Sequence, residues 1–497
     1  MLEYVAIFDI GTSAVKGVLI NQQAEIKGEY SVPVTTHFGE NREVEQNPTE
    51  WWQAVKKIAQ TWWNDLSIDP KQVSMISFSG QMEDVIPVSK NNQKHRAILY
   101  SDTRAKGEAV FLHEKFPELT KKTGNSIKPS SPIAKLLWLE KYKKNLYEDT
   151  LCFLFNAKDF IIYQLTNKFV TDPIAGATTG MMNLLERQWV WDLLEKIGID
   201  LDKLPNLCQP EEIVGYVSAH ASAETGFSES TPVLCGSGDA GASTIGAGAV
   251  KEGDSYFYIG TTGWVAVVKE QEDLESSMNG VFHLAHLPQK STITIAPLLN
   301  VGNVHHWAVE TFIGSAESDA SFVAYEELIN DASPGSNGVL FLPYLNGERN
   351  PISDSEARGA FWGIGPNTKK SDFTRAVIEG ICFSLKQLIE LLDIDESKSI
   401  TLIGGGAKSA SWCQILADCI GVPVRVPAES EFMPAIGAAS SGFIRLGWVK
   451  DYQEFSDRFI TTNDAKVYRP DDENYNLYQI MYQQYVKLYP SLTEIYR

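Results

Sequence analysis

Two strand-like runs joined by a glycine turn occur twice in the chain, half its length apart, and this repeat constrains the fold more than any other feature. The first copy is Tyr4 to Phe8, then Asp9-Ile10-Gly11-Thr12-Ser13, then Val15 to Ile20. The second is Tyr256 to Ile259, then Gly260-Thr261-Thr262-Gly263, then Trp264 to Val268. Each reads as a β-hairpin, because β-branched and aromatic side chains suit a pleated backbone and glycine can reverse it without a Cβ clash. A duplication with one hairpin per half is the simplest account, dividing the chain into residues 1–248 and 249–497. A length of 497 residues has room for such halves, each with a core of its own.

Strands and helices alternate through both halves, which indicates an α/β protein of two similar lobes. Asn47-Pro48-Thr49-Glu50 offers a cap, a proline for the first helical position and a carboxylate three residues on, ahead of Trp51, Trp52, Val55, Ile58, Ala59 and Trp62 at helical spacing. Those tryptophans are expected in the core. Val73 to Phe78 reads as a strand ending in the polar cluster Ser79-Gly80-Gln81-Met82-Glu83-Asp84, and open sheets place ligand groups at such ends. In the second half Ser371 is expected to cap a helix through Leu392, and Ser399 to Ile403 a strand. Gly404-Gly405-Gly406 follows as a turn, then a helix over Ser411 to Cys419 that ends at Gly421. Strand, glycine turn and helix in that order let a backbone approach a nucleotide closely.

The balance of 43 basic against 63 acidic residues, a net charge of −20, excludes sequence-independent nucleic-acid binding, which requires clustered cations. The uncharged run at 291–309 contains two Asn, two His, a Gly and a Pro, so a buried strand followed by a loop is expected there and no membrane span. Six cysteines without a C-x-x-C pair, and a start lacking a basic region or cleavage site, are the pattern of a cytoplasmic protein with reduced thiols. His283, His286, His305 and His306 have no acid or cysteine cluster at metal-binding spacing. The tyrosines after Tyr475 fit a C-terminal amphipathic helix, with a homodimer contact as one use of its surface.

Three Gly-Thr/Ser turns expose backbone N–H groups and small hydroxyls suited to phosphate oxygens, and none of them fits the Walker pattern. Asp9, closing the first strand, is either a turn cap or an acid that meets a hydrated metal on phosphates. Asp239 lies in Cys235-Gly-Ser-Gly-Asp239-Ala240-Gly-Ala242, among small residues and away from any Lys or Arg in sequence. It is either a helix cap or a base with open space before it.

The chain resembles the FGGY carbohydrate kinases, of the actin-like, sugar kinase and Hsp70 ATPase superfamily. Gly359-Ala-Phe-Trp-Gly363-Ile364, seven residues, then Asp372-Phe-Thr-Arg375-Ala376-Val377-Ile378-Glu379 matches their C-terminal signature. Ser130-Ser-Pro132-Ile-Ala-Lys135-Leu136-Leu-Trp138-Leu139 matches the N-terminal one up to Tyr142, where an amide, acid or His is usual. The resemblance implies two ribonuclease-H-like (actin-like ATPase) lobes with a cleft between them, where the γ-phosphoryl of ATP passes to a sugar hydroxyl with Mg²⁺ as cofactor. It implies Asp239 as general base, and Asp9 with Asp239 as the acids that hold Mg²⁺, largely through water. Gly11, Thr12, Ser13, Lys16, Gly260, Thr261 and Thr262 would bind phosphate, and Gly404, Gly405, Gly406 and Ala407 adenosine. Gln81, Met82, Glu83, Asp102, Arg104, Asp239 and Ala240 would face the sugar. Within the family, Phe341 to Arg349 and Leu402 to Ala407 resemble the xylulokinase group, whereas Glu83 replaces its His, Ala240 its Asn, and Tyr100-Ser101-Asp102-Thr103-Arg104 its Trp-Asn-Asp-x-Arg. An acid-rich site of Glu83, Asp84 and Asp102 would repel gluconate unless Arg104 offset it, and would suit a neutral pentulose or polyol, D-xylulose first. The competing class is an actin-like protein that binds nucleotide or sugar without transferring phosphate.

Overall fold

The computed structural model describes residues 3–40, 42–90, 95–270, 280–316, 318–461 and 465–496. Its first large sheet contains β1 (Tyr4–Ile10), β2 (Ala14–Asn21), β3 (Ile26–Pro33), β4 (Val73–Gly80), β5 (Ile213–Tyr216) and β6 (Pro232–Leu234), in the order β5-β6-β4-β1-β2-β3. Its second contains β7 (Ser255–Ile259), β8 (Gly263–Glu270), β9 (Phe282–Ala285), β10 (Ser291–Leu298), β11 (Ile400–Ile403), β12 (Val424–Val426) and β13 (Lys466–Tyr468), in the order β9-β10-β8-β7-β11-β12-β13. The two sheets share one plan. A three-stranded antiparallel meander (β1-β2-β3, β7-β8-β10) is extended from its first strand by two parallel strands (β4 and β6, β11 and β12), then by an antiparallel edge (β5, β13). The repeated glycine hairpin is the first turn of each meander.

The helices form where their apolar spacing matches these sheets. α1 (Pro48–Asp65) starts at Asn47, whose side chain accepts the Thr49 N–H, and buries Trp51, Val55, Ile58 and Trp62 against the first sheet. The sequence from Asp239 onward forms α2 (Asp239–Gly246). The stretch expected as a loop after β10 is only three residues long and then becomes α3 (Gly302–Ile313), because the Asn303 side chain accepts the N–H groups of Val301 and Val304. α4 (Asp319–Asp331) lies beside it. α5 (Lys370–Leu391) begins ahead of Ser371; the Asp372 carboxylate takes the Lys369 N–H, leaving Ser371 buried inside the helix. α6 (Ala410–Ile420) is capped by Ser409 and ends at Gly421 in the left-handed region.

α7 (Met433–Arg445) returns from the second half to pack on β1 and β4 of the first sheet and across α2. The last helix, α8 (Asp472–Tyr496), lies against α6 and buries Tyr478, Tyr482 and Tyr485. None of the described helices is long and apolar enough to cross a membrane. All six cysteines carry free thiols.

Candidate active site

The first glycine hairpin, the start of α2 and the strand leading into the second hairpin come together: Asp9 acts on Asp239, and Tyr258 feels both. In the first hairpin Gly11 donates its N–H to the Ala14 carbonyl at 3.1 Å, and Thr12 is braced from behind. Its hydroxyl donates to Gln81 Oε1 (2.9 Å), its carbonyl accepts from Gln46 Nε2 (2.6 Å), and Gln81 Nε2 donates to Gln46 Oε1 (3.0 Å). Gln81 thus uses both ends of its amide on the protein, holding the turn while Ser13 and Lys16 remain exposed. In the second hairpin Gly260 N–H donates to the Thr262 carbonyl, and Asn303 N–H to the Thr261 carbonyl, so α3 begins directly behind the turn. Thr261 and Thr262 are exposed.

Asp9, on the cleft end of β1, stands opposite Lys16 across the hairpin and beside Ser79 on β4. Burial raises its pKa, while Lys16 and Ser79 pull it back. Asp239 is the first residue of α2. Ser237 and Gly238 run parallel to Ser79 and Gly80, and a Cβ on Gly238 would lie 2.0 Å from Met82 Sδ, so Met82 is packed against the turn that presents the acid. Gly238 N–H donates to Asp172 Oδ1 at 3.3 Å, and Asp172 is paired with Lys158 at 2.9 Å in a fully buried cluster. Asp239 Oδ1 accepts the Ala240 N–H at 2.8 Å. Burial is the largest cause, and the neighbouring Asp9 the next, of an Asp239 pKa pushed up to about 7. Asp9 and Asp239 are neighbouring carboxylates whose oxygens are suited to a hard cation, and among the described residues no group of three or more His, Cys, Asp or Glu side chains forms a metal cage.

The polar cluster after β4 forms one wall of the cleft. Glu83 adopts a left-handed backbone (φ 65°), its carboxylate accepts from Ser130 at 2.8 Å, and its carbonyl accepts from Lys135 Nζ at 3.0 Å. Lys135 also reaches the Leu99 carbonyl (2.7 Å), so this lysine of the N-terminal signature ties the strand Met82–Ser89 to the segment at Leu99; burial lowers its pKa to about 8. Asp102 is fully buried, accepting from Val44 N–H and from Arg104 Nε and Nη2, and Arg104 reaches Glu45 (2.7 Å) and lies over the Trp138 ring. Asp102 and Arg104 therefore satisfy each other. Ala240 is buried in the first turn of α2.

Several residues here carried no local signal. Lys128 stands over Phe282 of β9 (Nζ to ring centroid 3.7 Å), with its pKa lowered to about 8 by burial, raised by Glu83 and lowered by Arg349. Tyr100 is close enough to Asp239, Asp84 and Arg349 to feel their charges. Tyr258 of β7 faces Asp9 and Asp239, and its two-residue spacing from Gly260 on one strand face is the signal that could have found it.

A cavity of about 780 Å³ runs from Gly260, Thr261, Gly302 and Asn303 to Gly405, Gly406, Lys408 and Ser409, walled by Phe322 and Trp412. Gly404 has φ 94°, and a Cβ on it would stand 2.5 Å from the Ile259 carbonyl, whereas Gly405 faces open space. The absent side chains let β11 lie against β7 while the backbone turn opens on the cavity. Ala407 is buried beneath the turn. His305 is packed among Phe322, Tyr325 and Trp412, and burial lowers its pKa to about 4. His283 and His286 are likewise buried and neutral, bonded to Thr294 and the Ala249 carbonyl.

Residues 4–246 match the model of the FGGY family of carbohydrate kinases, N-terminal domain, and residues 256–446 that of the C-terminal domain. The chain belongs to the FGGY family of carbohydrate kinases. It is 32% identical to the xylulose kinase of Bacillus subtilis (strain 168) over 497 residues, 98% of this chain and 97% of that protein. The structure of a ligand-bound xylulose kinase from Lactobacillus acidophilus superposes with a TM-score of 0.88 at 27% identity, covering 99% of each chain. That of a gluconate kinase from the same organism gives 0.88 at 27% identity, covering 99% of this chain and 98% of the other. This FGGY kinase is therefore an enzyme acting on ATP and a sugar, built as two actin-like ATPase lobes.

Proposed function

We propose that this kinase transfers the γ-phosphoryl of MgATP to a hydroxyl of a ketopentose, D-xylulose first, forming D-xylulose 5-phosphate. The observation that carries the reading is Asp239, an acid pushed up to about 7, at the start of α2 and facing the first phosphate hairpin. A base of that strength is half ionised near neutral pH, suited to take a proton late in the transfer. In a loose transition state positioning supplies most of the rate. The sugar hydroxyl is held at Asp239, its oxygen bonds to phosphorus as the bond to ADP breaks, and its proton passes to the Asp239 carboxylate. Thr12, Ser13 and the Gly260–Thr262 turn hold the phosphates, and the Gly404–Gly406 turn borders the adenosine. Asp9 and Asp239 would hold Mg²⁺, which neutralises phosphate charge when bound. The same reading divides the chain near residue 248 into a sugar-binding half that also bears the base and a nucleotide-binding half, and it sets the enzyme in the cytoplasm, where free thiols and ATP coexist.

Phosphorylation of gluconate is the second reading. The Asp102–Arg104 pair removes one of the acids expected to repel a carboxylate, and Lys128 stands near both Glu83 and Arg349. The deciding test is ADP release with MgATP against D-xylulose, L-xylulose, D-ribulose, L-ribulose, glycerol, D-gluconate and water alone. A preference for D-xylulose is expected; a preference for gluconate overturns the pentulose assignment, and ADP release no faster than with water overturns the kinase mechanism for every sugar tested.

A further inference from the structure

Alternation along β7 turns Phe257 and Ile259 into the second core, and Tyr256 and Tyr258 to the opposite face, toward α2 and the cleft. Tyr258 pairs directly with Trp264 on β8, and their rings stack at 4.0 Å with 10° between planes. Trp264 Nε1–H donates to the Tyr256 hydroxyl (3.1 Å), which lies 3.0 Å from the Thr244 hydroxyl. Because Thr244 donates to the Ala240 carbonyl (2.7 Å), its oxygen must accept from Tyr256. The hydrogen bonds therefore run in one direction, from Trp264 through Tyr256 and Thr244 to the carbonyl next to Asp239. This rigid strut ties the base-bearing helix to the second phosphate hairpin and fixes Tyr258 on its cleft side.

The Tyr258 hydroxyl lies over the hairpin glycine: a Cβ on Gly260 would be 3.0 Å from it. Among the described residues it has no hydrogen-bond partner, although Trp264 Nε1 and the hydroxyls of Tyr256 and Thr244 are all bonded within the strut. Asp9, Asp239 and Tyr100 are its charged and polar neighbours, and its phenolic O–H is a hydrogen-bond donor. A neutral donor between two acids, above a phosphate turn, is matched to an oxygen that carries negative charge.

We propose that the Tyr258 hydroxyl donates a hydrogen bond to the phosphoryl group in transfer, from the side of the second lobe. The proposal rests on the kinase reading above. Charge in a loose transition state spreads over the equatorial phosphoryl oxygens, and a preorganised donor stabilises it without reorganisation. No bond to Tyr258 forms or breaks.

Tyr258→Phe keeps the ring and its stack, so its melting temperature should equal that of the wild type. Its kcat on the sugar preferred in the panel should fall roughly 10- to 100-fold, as for a hydrogen bond to a charged group, with KM for ATP and sugar within about two-fold. Affinity for ADP alone should be unchanged, whereas affinity for ADP with aluminium fluoride, a mimic of the transferring phosphoryl, should weaken by a factor similar to that in kcat. Wild-type kcat in the variant, or equal weakening of ADP with and without aluminium fluoride, overturns the proposal while leaving the kinase reading intact. A wild type inactive toward every sugar overturns both.

Discussion

Asp239 is costly to ionise, and in the proposed transfer that cost sets its strength as a base. Burial, then the charge of Asp9, lifts its carboxyl to about 7, so kcat/KM should fall tenfold per unit as the pH drops below that value, in a pH-rate profile of the free enzyme. A flat profile across this range would assign the proton elsewhere. Asp239→Asn should lower kcat by about 10²- to 10⁴-fold and leave ADP binding near wild type by calorimetry. The stability sign runs the other way. An unfolded Asp ionises near pH 3.9, so the folded carboxyl's preference for its proton contributes fully below that pH and is lost as pH rises through about 7. Asp239→Asn should therefore raise the melting temperature of the ligand-free protein most at about pH 8, less at about pH 5, and little below about pH 4. Larger stabilisation in acid would contradict a raised pKa.

Among the elements, the two family signatures do structural work around the site. Glu379 of α5 accepts from Arg375, Tyr478, Ser336 and the Gly335 N–H, all buried, and so fastens α8 to the long central helix of the second lobe. Removing one partner of such a cluster leaves a buried charge alone, so Glu379→Ala should cost about 3–5 kcal/mol in urea unfolding. A loss below about 1 kcal/mol would mean that water or neighbouring donors replace the carboxylate. Lys135 plays the corresponding part in the first signature, joining the strand at Glu83 to the segment at Leu99. The hairpins are held in the same manner, with Gln81 and Gln46 bracing Thr12 where a free glycine turn would sample many shapes.

Across the whole molecule, the lobes meet where α2 crosses α7 with backbones nearly touching. A Cβ added to Gly437 would lie 2.0 Å from the Ala242 carbonyl, and one on Gly246 only 1.9 Å from the Met433 carbonyl. The helix that presents Asp239 is thus set against a helix from the far end of the chain, which itself lies on the strand carrying Asp9. Gly437→Ala must push the helices apart, and should cost about 1–3 kcal/mol and lower kcat, with KM for ATP retained because the nucleotide cavity lies away from the crossing. Unchanged kcat with lowered stability would show that the crossing only holds the lobes together.

Much of this was legible from the sequence because it depends on neighbours in the chain. The glycine hairpins, the Asn47 cap and the helix ending at Gly421 follow from turn chemistry and apolar spacing over a few residues. Asp9, Asp239 and the Gly404–Gly406 turn stand out in the sequence because strand ends and glycine turns are where an α/β sheet places ligand groups. The start of α5 slipped by two residues because a cap at Lys369 competes locally with one at Ser371, and α3 was missed because polar Asn and His residues dilute its apolar pattern. Other features are decided by pairing across long separations, which no local pattern encodes. Asp102 and Arg104 are two residues apart, yet whether they face a sugar or each other is settled by Val44, Glu45 and Trp138 on other elements. Tyr258 reads as an ordinary strand residue until Trp264, Thr244 and the two acids surround it. The chain's own periodicity and turns specify two repeated lobes and the acids they bear; the packing of one lobe on the other decides which side chains reach the cleft, because burial and charge there arise from residues hundreds of positions apart.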